Sequence, residues 1–296
     1  MNWPNSGIEF TFTGTEATVN ATGVTGTAYF TPYVDGVAQD RITLWTGANK
    51  IVSGLTDTTH TIKLVRSSEA RIGKVWITDI EANDAKPTAS KERLIEFYGD
   101  SYTAGYGNIG PDGSAASMDT QKAYSVVVAD YFNADANLIA YSGKGIAGNG
   151  ADNAGLTIPQ MSQYADIVVN GDTVMPSLWN FSKKVPNLVV IFLGTNDTMT
   201  AGLTAEIFET TYKNFISTIR ERYGNVKILC LTRSNISLAS SVENVVNDVK
   251  AAGDSNIAFY KFTNFGLSGG HSHPTAAEDI EIANELKTPI SELTGW

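Results

Sequence analysis

The order of apolar and polar positions divides the chain into two regimes. From Gly7 to about Ala82, short runs alternate apolar with polar residues, as in Ile8-Glu9-Phe10-Thr11-Phe12 and Thr61-Ile62-Lys63-Leu64-Val65. Turn signals at Gly14, Val34-Asp35-Gly36-Val37 and Gly54 separate these runs. Alternation at period two, bounded by turns, predicts antiparallel strands with one buried face, and residues 1–85 are expected to form an all-β sandwich. The polar stretch from Ala82 to Lys91 lacks an apolar period and contains Pro87, so residues 86–92 are expected to be a linker.

From residue 93 to 296 the pattern changes. Apolar runs at Leu94 to Tyr98, Ala136 to Tyr141, Leu188 to Leu193, Val226 to Leu231 and Ile257 to Tyr260 read as strands, with helical patterns between them. The clearest helix spans Thr204 to Tyr223. Its apolar stripe is Ile207, Phe208, Phe215, Ile216 and Ile219, Thr204 is the expected N-cap, and Gly224 stops it. Strands separated by helices imply a parallel sheet covered on both faces, and such sheets carry their sites at the carboxyl ends of strands.

Composition agrees with two folded units and excludes some partners. A chain of 296 residues exceeds the size at which one core usually stops growing. With 42% hydrophobic residues and a mean hydropathy of −0.10 it reads as a soluble globular protein. A net charge of −10 argues against nucleic acid as a partner. No apolar stretch approaches the ~18–20 residues that span a bilayer. Met1-Asn2-Trp3-Pro4 has neither a basic nor an apolar leader region, so no export signal is expected; this fits a cytoplasmic protein or the trimmed form of an exported one. The single cysteine, Cys230, lies in the run Val226-Lys227-Ile228-Leu229-Cys230-Leu231 and reads as a core residue.

The chemistry gathers at strand ends. Ser101 follows the first run in Phe97-Tyr98-Gly99-Asp100-Ser101, Gly143 follows the second, Asn196 follows the third in Gly194-Thr195-Asn196-Asp197, and His273 stands in His271-Ser272-His273-Pro274. A hydroxyl, a backbone N–H, a side-chain amide and an imidazole are the parts of acyl transfer: nucleophile, two kinds of oxyanion donor, and base. Two other motifs compete. Gly143-Lys144-Gly145-Ile146-Ala147-Gly148 matches a dinucleotide fingerprint with Asp166 downstream, but Asn149, Gly150 and Pro159 predict a loop where that motif needs a helix. Gly266-Leu267-Ser268-Gly269-Gly270 matches a nucleophile elbow, yet Pro274 delays the following helix, so Ser268 is read as a loop residue. His60 is expected to be a solvated residue of the sandwich. His271 and His273 lack a third metal ligand nearby, so neither metal nor cofactor is expected. Trp45 and Trp76 leave open a carbohydrate-binding protein with a silent second domain.

The Gly99-Asp100-Ser101 turn, Gly143, the Gly194-Thr195-Asn196-Asp197 stretch and His273-Pro274 together resemble the four blocks of the SGNH (GDSL-like) hydrolase superfamily. Trp3-Pro4-Asn5-Ser6-Gly7-Ile8-Glu9-Phe10, Tyr33-Val34-Asp35-Gly36 and His60-Thr61-Ile62 extend the likeness to carbohydrate esterase family 2. That resemblance implies a jelly-roll sandwich ahead of a three-layer α/β/α domain with a flavodoxin-like parallel sheet, a secreted or cell-surface location, and removal of acetyl groups from polysaccharides such as xylan and mannans. It implies Ser101 as nucleophile and His273 as base. The oxyanion donors would be the Ser101 and Gly143 N–H groups and Asn196, with Trp179, Asp100 and Tyr102 lining the substrate cleft. Two departures stand out. Gly270 occupies the position where many such enzymes carry an aspartate, so a Ser–His dyad oriented by a backbone carbonyl is expected, with Glu278 and Asp279 placed on the following helix. The chain also begins almost on the Trp-Pro segment, so the sandwich is expected to lack an edge strand or the chain to be truncated.

Overall fold

The computed structural model describes residues 2–150, 155–165 and 177–296. Among the described residues, nine strands precede residue 90: β1 (Gly7–Gly14), β2 (Ala17–Gly26), β3 (Tyr29–Val34), β4 (Val37–Ala38), β5 (Ile42–Thr43), β6 (Gly47–Val52), β7 (Thr58–Arg66), β8 (Gly73–Glu81) and β9 (Lys86–Pro87). They form two antiparallel sheets, one in the order β4-β3-β7-β1-β9 with β5 also on β3, the other β6-β2-β8. The alternation seen in the sequence sorts residues between faces: Phe10 and Phe12 of β1 point inward with Val19, Phe30, Ile62 and Leu64, while Glu9 and Thr11 face out.

Two expectations for this region are corrected. Lys86 and Pro87, assigned to the linker, pair with Thr11 and Phe10 and cover the free edge of β1. An edge strand tolerates proline because the missing N–H would face outward. His60 is not solvated. It is buried in β7, its Nδ1 lies 2.8 Å from Asp35 Oδ2, and its Nε2 meets the Thr56 carbonyl at 3.0 Å. The β3–β4 turn, with Asp35 at φ 50°, brings that carboxylate against β7, where its other oxygen accepts the Thr61 N–H.

The second region contains β10 (Arg93–Gly99), α1 (Ser101–Ala104), α2 (Tyr124–Tyr131), β11 (Ala134–Ala140), α3 (Ile158–Met161), β12 (Leu188–Phe192), α4 (Ala205–Tyr223), β13 (Lys227–Arg233), α5 (Ala239–Ala251), β14 (Ile257–Phe262) and α6 (Ala276–Thr294). The sheet is parallel throughout, in the order β11-β10-β12-β13-β14. Its central strand β12 is wholly buried, as expected for a sheet covered on both faces. One face carries α2 and α6 and the other α4 and α5.

Helix α4 begins and ends where its signals predict, with the Thr204 hydroxyl accepting the Ile207 N–H and Gly224 following its last turn. Its buried face is Phe208, Tyr212, Phe215, Ile216 and Ile219, positions that fall on one side at 3.6 residues per turn; Ile207 lies off that line and is half exposed. Cys230 is fully buried in β13. No helix among the described residues is long and apolar enough to cross a membrane.

The two regions share packing. Trp3 and Ala70 belong to the apolar cluster beneath α4 and α5, and the Trp3 indole donates to the Tyr164 carbonyl at 3.2 Å. The Asn5 amide donates to Ala136 O at 2.9 Å, and the Thr120 N–H to Ser67 O at 2.9 Å.

The Asp35–His60 pair makes the sandwich pH-sensitive in a defined sense. Asp35 titrates below its ordinary value because it accepts the Thr61 N–H and the His60 ring N–H, and His60 titrates above its own because of Asp35. A lowered acid stabilises above its unfolded pKa, and a raised base below its own. The pair therefore contributes most between the ordinary values 3.8 and 6.5, fading as pH falls through the folded Asp35 pKa or rises through that of His60. Asp35→Asn, which keeps an acceptor for Thr61 and tolerates a left-handed φ, should lower the urea midpoint most within that window. An equal deficit at pH 9 would contradict this.

Candidate active site

The strand order reverses direction between β10 and β12, and at such a point the loops leaving neighbouring strands splay apart into a crevice. Ser101, Gly143 and Asn196 all stand there, after β10, β11 and β12. Ser101 opens the four-residue helix α1 behind a sharp turn. Gly99 is required in that turn, since a Cβ would lie 1.9 Å from Thr103 Oγ1. Asp100 caps the helix by accepting the Tyr102 N–H at 3.0 Å.

His273 reaches this edge from the loop between β14 and α6. Its Nε2 lies 2.7 Å from Ser101 Oγ and its Nδ1 lies 3.0 Å from the His271 carbonyl. An Nδ1–H donated to that carbonyl leaves Nε2 as the acceptor facing the serine. His271 and Ser272 take the left-handed conformation, with φ 52° and 60°, and this turn folds the carbonyl back onto the ring. Such residues cost of order 1 kcal/mol each, so the surrounding structure must hold them. Gly270 cannot be replaced by an orienting aspartate: its Cβ would meet Gly110 O at 2.6 Å and Asp112 N at 2.8 Å. Neither Glu278 nor Asp279 takes that place. Glu278 accepts the Thr275 N–H at 2.7 Å and the Ser268 hydroxyl at 2.7 Å, and Asp279 accepts from Asn108 and from the Tyr124 N–H. Ser268 is thus a loop residue that pins the histidine loop to the helix. Pro274 precedes the N-cap Thr275 rather than lying in the first turn.

The imidazole sits between two aromatic rings, Tyr102 at 4.9 Å and Tyr106 at 4.5 Å between centroids, and Tyr106 Oη also meets His271 Nδ1 at 2.8 Å. Burial lowers the His273 pKa below the ordinary imidazole value, with the backbone bonds opposing it, so the neutral form needed in a base prevails at neutral pH.

The N–H groups of Ser101 and Gly143 have no hydrogen-bond partner among the described residues. The Asn196 amide nitrogen, in contrast, is bonded to Asp100 Oδ2 at 3.1 Å and to Lys144 O at 2.9 Å. Both of its hydrogens are engaged, and donation to a third acceptor requires it to release or share one. Asp100 is therefore turned inward, to Asn196 and Tyr102, and not toward a ligand. Complete burial pushes its pKa up to about 7, against the Tyr102 N–H and Arg233, which lower it.

The glycine-rich segment after Gly143 wraps an anion that the protein itself supplies. Asp197, almost fully buried, accepts the N–H groups of Ile146, Ala147 and Gly148 at 3.1, 2.7 and 2.9 Å. A Cβ on Gly145 would lie 2.3 Å from Asp197 Oδ2. The loop resembles a phosphate cradle in sequence because it is an N–H nest, filled here by a carboxylate. Asp166, weighed as part of a dinucleotide site, lies outside the described residues. The role of Asp197 was missed in the sequence although it adjoins Asn196; a carboxylate one residue past a strand-end asparagine was its only signal.

Trp179 stands apart from this cluster. It is 36% exposed and lines a cavity of about 520 Å³ with Trp3, Trp76 and Glu96, to which Ser101, Gly143, Asn196 and His273 do not contribute. Trp45 is 59% exposed, and Trp76 packs beneath Lys74.

Residues 1–90 match the family description "Carbohydrate esterase 2 N-terminal", and residues 97–258 match "GDSL-like Lipase/Acylhydrolase family". The chain is 34% identical over 312 residues to the cellulase/esterase CelE of Acetivibrio thermocellus, a match covering 99% of this chain and 38% of that protein. It is 30% identical over 231 residues to an acetylxylan esterase/glucomannan deacetylase of Cellvibrio japonicus, covering 71% of this chain and 63% of the relative. The chain thus spans less than two thirds of either relative. A family two carbohydrate esterase from Clostridium thermocellum, solved in complex with cellohexaose, superimposes with a TM-score of 0.89 at 33% identity, over 99% of this chain and 94% of that one. Sheet order, strand-end residues and matches over both halves agree: this chain belongs to the GDSL-like lipase/acylhydrolase family and, within it, to the family 2 carbohydrate esterases.

Proposed function

We propose that the chain is a serine esterase that removes O-acetyl groups from carbohydrates such as acetylated xylan or mannan, with Ser101 as nucleophile and His273 as general base. The observation that carries this reading is the 2.7 Å contact between Ser101 Oγ and a His273 ring whose other nitrogen is held by the His271 carbonyl. The choice of substrate rests on the relatives, which are named as acetylxylan esterase/glucomannan deacetylase and cellulase/esterase.

In this mechanism His273 Nε2 takes the hydroxyl proton as Ser101 Oγ attacks the acetyl carbonyl. The oxygen that becomes negative accepts the Ser101 and Gly143 N–H groups, which have no other partner among the described residues. Asn196 joins them by giving up its bond to the Lys144 carbonyl or to Asp100. The imidazolium then protonates the departing sugar oxygen, releasing the free hydroxyl, and water, deprotonated by the same nitrogen, attacks the acetyl-enzyme, the proton passing to Ser101 Oγ as acetate leaves. A carbonyl orients the imidazole but offsets its positive charge less than a carboxylate would, so the donors to the oxyanion carry more of the stabilisation.

Ser101→Ala should lower acetate release by at least about three powers of ten, and Asn196→Ala should lower turnover by roughly two to three powers of ten at matched folded fraction. Steady-state assays with an activated acetate ester check both, and undiminished turnover in Ser101→Ala would remove the mechanism. On the acid side, kcat/KM should fall through an ionisation below the ordinary imidazole value of 6.5. Asp100→Asn, which keeps an acceptor for Tyr102, should leave that limb in place, whereas its disappearance would assign it to Asp100. Acetate release measured on a panel of acetylated glycans should show turnover on acetylated xylan or mannan; binding of the glycans without release would favour a carbohydrate-binding protein instead.

A further inference from the structure

The connection from β7 to β8 sends a charged cluster out of the sandwich and into the catalytic edge. The Glu69 side chain is completely buried there. One carboxylate oxygen accepts the Ser142 N–H at 2.9 Å, immediately before Gly143, and the other accepts Arg71 Nε at 2.5 Å. The backbone beneath it is fastened by the buried Arg66, which donates to the carbonyls of Ser68 at 2.7 Å and Glu69 at 2.6 Å. Arg71 lies over the Tyr106 ring, 5.2 Å from its centroid, and that ring packs on His273 at 4.5 Å. The cluster therefore touches both halves of the machinery, the loop that offers the Gly143 N–H and the ring that covers the base.

We propose that Glu69 of the β-sandwich is a positioning residue for the Ser101–His273 site: its carboxylate fixes the Ser142–Gly143 loop and supplies, from the other domain, the negative charge that Gly270 cannot carry. A buried carboxylate is costly to keep, and a neutral glutamine would accept the Ser142 N–H as well, so geometry alone does not call for the charge. What the charge does is favour imidazolium. Glu69 raises the His273 pKa against the desolvation that lowers it. The other groups facing His273 are His271, Tyr106 with Arg71 above it, Tyr102 with Arg233 above it, and Asp100 beside Ser101.

The inference rests on the dyad reading above, and one experiment separates the two. The pH dependence of kcat and kcat/KM for an activated acetate ester is measured for the full chain and for Glu69→Gln, Arg71→Gln and Ser101→Ala. Glu69→Gln should move the acid limb to lower pH, because His273 loses its anion, and should lower the plateau of kcat about tenfold with KM little changed. Arg71→Gln, which removes one of the two guanidinium groups beside the carboxylate and leaves the buried Arg66, should move the limb to higher pH. Limbs that coincide with wild type, or that move in the same direction, would overturn the proposal. If Glu69→Gln does not fold, Arg71→Gln, at a side chain 32% exposed, decides: an unmoved limb overturns it. A fully active Ser101→Ala overturns the dyad reading itself, whereas an inactive Ser101→Ala beside unmoved limbs overturns only the role of Glu69.

Discussion

An N–H group that is to meet an oxyanion cannot be spent on secondary structure, and the proposed mechanism depends on that constraint at the sheet edge where Ser101 and His273 meet. The loops that leave β10, β11 and β14 are irregular, yet each is held by a buried or half-buried carboxylate that accepts backbone N–H groups: Asp100 after β10, Asp197 and Glu69 after β11, Glu278 after β14. Charge-assisted bonds of this kind are roughly twice as strong as neutral ones, and they leave the Ser101 and Gly143 N–H groups without partners among the described residues. The cost is visible in two of these carboxylates, since burial raises Asp100 to about 7 and raises Asp197 as well. Stability is given up at the edge of the sheet so that two donors stay open.

How much of this was legible in the chain follows from the range of each interaction. Period-two alternation and apolar runs are local, and they located β1 and β7 of the sandwich, the parallel strands and α4 closely. Pairing across distance is not local. Lys86–Pro87 looked like linker because its partner β1 lies about 75 residues away, and His60 looked solvated because Asp35 meets it only once the β3–β4 turn has formed. Tyr212 completes the buried face of α4, although its polar tip kept it out of the apolar stripe.

The site divides along the same line. Ser101, Gly143 and Asn196 were readable as strand-end residues, because the fold class dictates where strand ends gather. The departure at Gly270 was readable as a missing acid, but not its reason, which is the backbone of residues 110–112 pressed against that glycine. The dinucleotide-like glycines were ambiguous because a nest of N–H groups has the same sequence signature whether it holds a phosphate or an aspartate. Trp179 was assigned to the cleft by the family resemblance, and its cavity beside Trp3 and Trp76 depends on how the N-terminal segment packs on the edge of the α/β sheet.

The central claim is that Ser101 is attacked-carbonyl chemistry's nucleophile in a pocket whose two open N–H groups receive the oxyanion. It is tested most directly by the structure of the chain inactivated with a phosphonate ester, a stable likeness of the tetrahedral intermediate. The account predicts a phosphorus–oxygen bond to Ser101 Oγ, with the phosphoryl oxygen accepting the Ser101 and Gly143 N–H groups and His273 Nε2 facing the ester oxygen. A label on another residue, or a phosphoryl oxygen turned away from both N–H groups, would contradict it.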